Sequence, residues 1–303
     1  MMNDSERLLR DVVFPLIKTS KTPEGYKFEA LLGTGFLAKE NLGFTSSTIF
    51  QDNAIENICC LFVISGNWEV RHITNVKHYE GLNISSFSVT ECHFKGCFNL
   101  SQVEHYSGCN FMLWGYPDEY LSDSLENYRR PDLAYHQGYI IRRLSNITHE
   151  SKGTEFFEIN LVLSQGFYGA PVLLKDTTYD LIGIYVGTRK FIIDKEYHKI
   201  LKFINEDDNF WEKLKSDTEN LSCFNVFDMI FKILSPSLGT ELIYNEIKKY
   251  SDKRLKLNII GKVIDAKEQL KKILNDVMLI ISKDISINYG LVARASKLPE
   301  LLL

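Results

Sequence analysis

The chain has 303 residues, of which 45% are hydrophobic and 24% charged, a composition typical of a folded protein with about two domains. Its formal net charge of −4 lacks the excess of lysine and arginine that nucleic acid binding requires. The first residues, "MMNDSERLLRD", contain no apolar run of a secretory signal, and no apolar stretch reaches the length of about 18 residues that a membrane-spanning helix needs. We therefore expect a cytoplasmic protein that binds neither nucleic acid nor membrane.

Short apolar segments separated by turn-forming residues fill the chain between residues 10 and 190. Segments such as "YKFEALLGTGFLA", "CCLFVI" and "LIGIYVG" are rich in the Val, Ile, Phe and Tyr side chains that favour strands. No helical period is sustained between them. This arrangement predicts an all-β barrel or sandwich.

Helical patterns replace the strands after Asp194. "KEYHKILKFINE" has the apolar spacing of a short helix, and the polar residues 206–220 that follow resemble a linker. Helices are predicted over "NVFDMIFKIL", over "GTELIYNEIKKY" and from about residue 253 to 283. The division predicted from these patterns is a β domain over 1–205, a linker over 206–220 and an α-helical domain over 221–303.

The longest predicted helix carries a broad apolar stripe. It consists of Ile260, Val263, Ile264, Leu270, Ile273, Leu274, Val277 and Ile281. Such a stripe indicates either packing on neighbouring helices or a surface for a protein partner or for self-association. Both interpretations stay open at this point.

No cofactor site is expected. The six cysteines form no CxxC pair, and Cys92, His93 and Cys97 do not have the ligand spacing of a metal finger. Neither a phosphate-binding Gly loop nor a dinucleotide fingerprint is present.

The segment Gly166-Phe167-Tyr168-Gly169-Ala170-Pro171 is followed by an apolar strand, a turn and the Gly-rich strand "LIGIYVG". This order resembles the Gly-x-Ser-Gly-x-Pro segment of the chymotrypsin/trypsin-like serine proteases, especially the bacterial members. Tyr168 stands at the position of the nucleophilic serine. The resemblance implies that Gly166, Phe167 and Gly169 form the former oxyanion loop, whose amides stabilise the tetrahedral intermediate in active relatives.

Two earlier segments continue the resemblance. "GTGFLAKENLGFTSSTIF" is similar to the strand pair that ends at the catalytic histidine, with Thr48 at the histidine position. "HYEGLNISSFSV" is similar to the segment of the catalytic aspartate, with Asn83 at that position. A rival alignment uses "ITNVKH" and places His78 at the histidine position, but it breaks the spacing of the frame by one residue.

The resemblance covers roughly residues 12–205 and implies an all-β double β-barrel (trypsin-like) followed by an α-helical C-terminal domain. Serine protease chemistry needs a hydroxyl nucleophile, an imidazole base and a carboxylate. The degenerate positions Thr48, Asn83 and Tyr168 supply none of the three in usable form. We therefore expect a catalytically inactive homologue, a pseudoprotease that acts as a protein-binding or regulatory module. The alternatives are an active serine-type peptidase or hydrolase with an atypical site, for example through His78, and a structural subunit whose β domain displays the helices.

Overall fold

The structure is a computed structural model. It describes residues 9–23, 25–51, 53–64, 67–92, 94, 96, 98–101, 107–117, 132–145, 155–177, 179–217, 221–234, 243–248, 256–257, 263–284 and 289–298. The chain divides into two compact units, one formed by residues 1–188 together with 289–303 and the other by residues 189–288.

Six antiparallel strands form the first barrel. They are β1 (Val13–Thr22), β2 (Gly25–Lys39), β3 (Leu42–Ser46), β4 (Ile58–Ile64), β5 (Asn67–Tyr79) and β6 (Ile84–Val89). The barrel closes in the order β1-β2-β3-β6-β5-β4. Its interior is filled by fully buried aromatic rings, among them Phe14, Phe36, Phe44 and Phe87. Burial of these large apolar surfaces is the main stabilising contribution to this barrel.

The second barrel also contains six antiparallel strands. Its sheet has seven strands, six of which close into the barrel. They are β7 (Asn99–Leu100), β8 (Asn110–Gly115), β9 (Ala134–Ser145), β10 (Glu155–Ile159), β11 (Pro171–Leu174), β12 (Asp180–Thr188) and β15 (Gly290–Arg294). The ring runs β11-β8-β9-β10-β15-β12 and closes through the pairing of β11 with β12. The short β7 adds to β12 in parallel outside the ring. Two six-stranded antiparallel barrels with an accompanying helical region confirm the predicted trypsin-like double barrel, and the sandwich alternative is wrong.

Five helices make up the unit of residues 189–288 in the part of it that the structure describes. They are α1 (Arg189–Glu206), α2 (Asp208–Asp217), α3 (Cys223–Ile233), α4 (243–248) and α5 (Val263–Asp284), and the two-residue strands β13 (Leu221–Ser222) and β14 (Lys256–Leu257) pair beside them. Trp211 is buried at their centre, and its indole Nε1 donates a 3.0 Å hydrogen bond to the carbonyl oxygen of Ile204. No helix of the described ranges is long and apolar enough to span a bilayer.

The division of the chain differs from the predicted one. The predicted boundary at residue 205 falls at the end of α1, and the predicted linker 206–220 contains α2. The polar appearance of that stretch hides an amphipathic helix that buries Phe210, Trp211 and Leu214. Residues 290–294, predicted to belong to the helical domain, form the sixth strand of the second barrel. This pairing is non-local, so no pattern around "GLVAR" indicates it.

The apolar stripe of the longest helix packs within its own unit. Of its predicted members, Leu270, Ile273, Leu274, Val277 and Ile281 are buried in the hydrophobic core of that unit. Ile260 and the side chains of Val263 and Ile264 lie outside the described residues. These buried side chains therefore serve helix packing and are not available to a partner.

Candidate functional site

The three degenerate positions occupy turns between strands of the two barrels. Thr48 lies in the 3₁₀ turn Ser47–Phe50 that follows β3. Asn83 immediately precedes β6 and adopts a left-handed conformation, with φ of 55°. Asparagine tolerates this region better than most residues. Tyr168 follows the 3₁₀ turn Gln165–Phe167 and lies before β11.

Ser46 connects Thr48 with Asn83. Its hydroxyl shares a 2.9 Å hydrogen bond with the Thr48 hydroxyl and donates a 3.4 Å hydrogen bond to the carbonyl oxygen of Asn83. The same carbonyl accepts a 3.0 Å hydrogen bond from the amide of Ser47. The turn that carries Thr48 is therefore held against the turn that carries Asn83.

Strand β12 connects Asn83 with Tyr168. The Asn83 side-chain amide donates a 3.5 Å hydrogen bond to the carbonyl oxygen of Val186. The ring of Tyr168 lies on the next residue, Gly187, where a Cβ atom would be 3.0 Å from Cζ and 3.3 Å from the hydroxyl oxygen of the tyrosine. Asn83 and Tyr168 therefore contact neighbouring residues of β12, and Thr48 is connected to Asn83 through Ser46.

Tyr168 is buried rather than displayed in an open cleft. Only 7% of the residue is exposed, and its ring meets that of Tyr185 edge to face, with 5.9 Å between the centroids. It belongs to the hydrophobic core of the second barrel. Burial raises the pKa of Tyr185 far above its usual value, so that phenol stays neutral.

Three consecutive amides in the segment of the former oxyanion loop, those of residues 167–169, are engaged inside the protein. Tyr168 donates a 2.8 Å hydrogen bond to the carbonyl oxygen of Gln165, and Phe167 donates one of 3.1 Å to that of Ser164. The amide of Gly169 donates a 2.7 Å hydrogen bond to the carbonyl oxygen of Tyr185. An oxyanion hole requires amides that point at the developing negative charge. The amides of residues 167–169 do not meet this requirement in the observed conformation.

Thr34 is a functional position that the sequence reasoning missed. It is the variable residue of the Gly-x-Gly-Phe frame, and its amide donates a 2.9 Å hydrogen bond to the carbonyl oxygen of Tyr168. Its hydroxyl donates a 2.6 Å hydrogen bond to the carbonyl oxygen of Gly166 and accepts one of 3.0 Å from the amide of Tyr116. Thr34 therefore anchors the loop of Tyr168 to the first barrel. Because a hydroxyl at this position has no distinctive local pattern, only the structure identifies it.

Two imidazole groups approach possible nucleophiles. His78 Nδ1 lies 2.7 Å from the hydroxyl of Ser85, which also shares a 2.8 Å hydrogen bond with the Ser47 hydroxyl. His72 Nδ1 lies 3.7 Å from the thiol of Cys59. Ser85 and Cys59 are both fully buried, and burial raises the pKa of the Cys59 thiol. Both pairs are structural in this conformation, since a substrate carbonyl has no access to either sulfur or oxygen.

Within the described ranges, no group of three or more His, Cys, Asp and Glu side chains has an arrangement that could hold a metal ion. His93 and Cys97, which the sequence places near Cys92, lie outside those ranges. Cys92 itself is buried, and burial raises the pKa of its thiol.

Comparison with known proteins gives matches among solved structures alone, since neither a family model nor a curated protein matches the chain. The active form of the Rv3671c protease from M. tuberculosis is 14% identical, covering 61% of this chain and 74% of its own, with a TM-score of 0.44. Its inactive form is 14% identical over 61% of this chain and 81% of its own, with a TM-score of 0.43. The MamO protease domain from Magnetospirillum magneticum is 13% identical over 59% of this chain and 85% of its own, with a TM-score of 0.44. The assignment of a trypsin-like double barrel follows from the strand order of the chain itself.

Proposed function

We propose that this chain is a catalytically inactive homologue of the trypsin-like serine proteases, a pseudoprotease that acts as a protein-binding or regulatory module. The observation that carries the proposal is the buried phenol of Tyr168 at the position of the nucleophile, packed on Gly187 and Tyr185. A nucleophile must be exposed to the substrate carbonyl and must have a base that takes its proton. Tyr168 is 7% exposed, and an unperturbed tyrosine has a pKa of about 10.

The two positions that should activate the nucleophile support the same function. Thr48 carries a hydroxyl, which takes up no proton near neutral pH. Asn83 is uncharged and directs its amide at the Val186 carbonyl, so it offers no carboxylate to stabilise an imidazolium. With all three groups replaced, base-assisted attack on a carbonyl is unavailable at this site.

The conformation of the oxyanion loop adds an independent argument. Even with a strong nucleophile at position 168, the amide of residue 168 would not stabilise the oxyanion, because it donates its hydrogen bond to the carbonyl oxygen of Gln165. Removal of one oxyanion donor costs an active protease about 10²–10³ in kcat. Restoring the three catalytic groups would therefore not be enough for catalysis, because the loop would also have to rearrange.

The alternative function is an active serine-type hydrolase with an atypical site. The 2.7 Å contact of His78 Nδ1 with the Ser85 hydroxyl is the one specific observation in its favour. However, Ser85 is enclosed within the paired strands β3, β5 and β6 and has no exposed surface. An active site at Ser85 would require the first barrel to open, so the structure favours the inactive protein.

Labelling with a serine-reactive fluorophosphonate tests the proposal. We expect no labelling of the wild-type protein or of Tyr168→Ser. Stoichiometric labelling of wild type that is lost in Ser85→Ala would establish the alternative, since only an activated Ser85 gives that result. Labelling of Tyr168→Ser would show that a base survives beside position 168 and would contradict the proposed inactivity.

Association with a protein partner, or with a second copy, through the C-terminal helices remains part of the proposal. The buried stripe of α5 cannot carry it, whereas Met229 and Ile233 on α3 are exposed apolar side chains one helical turn apart. We expect Ile233→Glu to weaken such an association without unfolding the protein. If the wild-type protein sediments as a monomer at all concentrations, and if Ile233→Glu weakens the binding of no partner, this surface does not mediate association.

A further inference from the structure

A groove with a volume of about 510 Å³ lies on the helical unit, where the end of α1, the start of α2 and the residue after α3 meet. The residues that line it include Lys199, Lys202, Phe203, Glu206, Asp208 and Leu234. The four of them that belong to α1 are spaced i, i+3, i+4 and i+7, so they follow one stripe of that helix. The whole groove belongs to the compact unit of residues 189–288.

The floor of the groove is apolar. Phe203 and Leu234 are half-buried and pack against the hydrophobic core of the helical unit. The ring of Phe203 meets that of Phe210 edge to face, with 5.2 Å between the centroids. Ile233, which precedes Leu234, is 56% exposed and adds to the apolar surface at this place. Apolar surface with a polar rim is typical of sites that bind another protein.

The rim of the groove carries charges of opposite sign at its two ends. Lys199 and Lys202 precede Phe203 in the chain, and the three acidic residues 206–208 follow it. At a rise of about 1.5 Å per residue, Lys199 and Glu206 are about 10 Å apart along the axis of α1. The groove is therefore positive at one end, apolar in the middle and negative at the other end.

The charges of the rim are only weakly held by partners in the same chain. The side chains of Lys202 and Glu206 are 73% and 65% exposed, and their charged atoms are 3.9 Å apart. Asp208 is 88% exposed and lies 3.2 Å from the ammonium group of Lys267. Ion pairs that are open to water in this way contribute little to stability. The same side chains can therefore pair with charges across an interface.

Such a charge pattern is complementary to itself. If a second copy is turned by 180° about an axis through the apolar floor, the lysines of each copy face the carboxylates of the other, and the two floors meet. We infer that the groove binds a second copy of this chain, so that two helical units associate about a two-fold axis near Phe203. This inference rests on the proposed association through the C-terminal helices, and it identifies the partner and the surface.

Charge reversal in the full chain tests the two-fold arrangement. Lys202→Glu and Glu206→Lys each place like charges opposite each other at two symmetric contacts. Each variant alone should therefore raise the dissociation constant of the dimer about tenfold or more. An equimolar mixture of the two variants should recover a dimer close to that of wild type, because every changed charge then faces its opposite. Sedimentation equilibrium measures all of these dissociation constants.

Two further variants serve as controls. Lys272→Glu changes the net charge as Lys202→Glu does, but this exposed residue of α5 does not line the groove, so the dissociation constant should not change. The chain with both Lys202→Glu and Glu206→Lys keeps an oppositely charged i,i+4 pair within α1 and should dimerise as wild type does. Its dimerisation would show that the single variants fail because of charge repulsion and not because α1 is lost.

The inference is wrong if neither reversal changes the dissociation constant, or if the mixture recovers no dimer. A wild-type protein that is monomeric at all concentrations, or that forms assemblies larger than a dimer, would also overturn it, since a two-fold interface closes. Ile233→Glu separates this inference from the proposed function. If Ile233→Glu weakens association and the reversals do not, the helices associate in another arrangement, so the inference fails while the proposed surface stands. If the reversals weaken the dimer and Ile233→Glu does not, the groove stands and the surface proposed on α3 is wrong.

Discussion

The hydroxyl of Thr34 donates a 2.6 Å hydrogen bond to the carbonyl oxygen of Gly166, a residue 132 positions further along the chain. The hydroxyl oxygen of Thr34 also accepts a hydrogen bond from the amide of Tyr116, and all three groups are buried. A single side chain of the first barrel therefore satisfies two backbone groups of the second. Buried backbone groups that lose their partner destabilise a protein by the full cost of their desolvation.

Thr34→Val tests this connection. It keeps the shape of the side chain and leaves the Gly166 carbonyl and the Tyr116 amide without their partner, so we expect the free energy of unfolding to fall by about 1–3 kcal/mol. Thr34→Ser is the control, since it retains the hydroxyl and should cost less. Chemical denaturation of the three proteins measures the difference. Equal stability of Thr34→Val and Thr34→Ser would show that the hydroxyl does not anchor the loop.

Gly169→Ala should be among the most damaging substitutions in the chain. The residue has a φ of 94°, and a Cβ atom would lie 2.0 Å from the Thr45 hydroxyl and 2.1 Å from the Thr34 carbonyl oxygen. The backbone at Thr34 cannot move without disturbing the pairing of β1 with β2. We expect a loss of more than about 4 kcal/mol, at the extreme end for a single substitution.

Gly108→Ala separates the contribution of the clash from that of the backbone conformation. Gly108 has a similar φ of 87°, yet nothing lies within 4 Å of a Cβ atom placed there. This substitution should cost only the strain of the left-handed region, about 1–2 kcal/mol. If thermal unfolding shows that Gly169→Ala and Gly108→Ala lose similar amounts of stability, the close approach of Gly169 to Thr34 is not the reason why residue 169 must be glycine.

Tyr168→Ser should destabilise the protein as well as leave it inactive. From the sequence alone the ring is expected to lie in or across the former cleft, where its removal would be tolerated. The structure instead buries the ring between Gly187 and Tyr185, so its loss leaves a cavity in the second barrel. We expect the unfolding free energy to fall by about 3 kcal/mol, and Tyr168→Phe, which keeps the ring, to cost less. A Tyr168→Ser protein as stable as wild type would mean that the ring contributes nothing to the core.

The sequence predicts features that depend on short continuous segments, and it does not predict features that depend on contacts between distant segments. The two barrels follow from strand composition and from the Gly-rich segments near Gly35 and Gly169, because these patterns are short and continuous. The place of β15 could not be predicted, since its partners β10 and β12 lie more than a hundred residues earlier and its five residues carry no distinctive signal. The role of Thr34 and the engaged amide of Tyr168 depend on atomic distances between the barrels, which a linear pattern does not contain.

His136 should give the protein a distinct sensitivity to mild acid. Its ring lies edge to face with that of Phe167 in the former oxyanion loop, 5.0 Å between centroids, and burial lowers the pKa of this histidine below its ordinary value of 6.5. The folded state therefore binds a proton less readily than the unfolded state. The contribution of the neutral His136 ring to the free energy of unfolding is fully present above pH 6.5. It is lost as the pH falls from 6.5 through the lowered pKa of His136 in the folded state. We expect the Tm of wild type to fall further between pH 7.5 and pH 5 than that of His136→Gln, whose side chain does not titrate. Because the two proteins differ only in this side chain, the difference between the two slopes isolates His136. Parallel slopes would show that its pKa is the same in the folded and unfolded states.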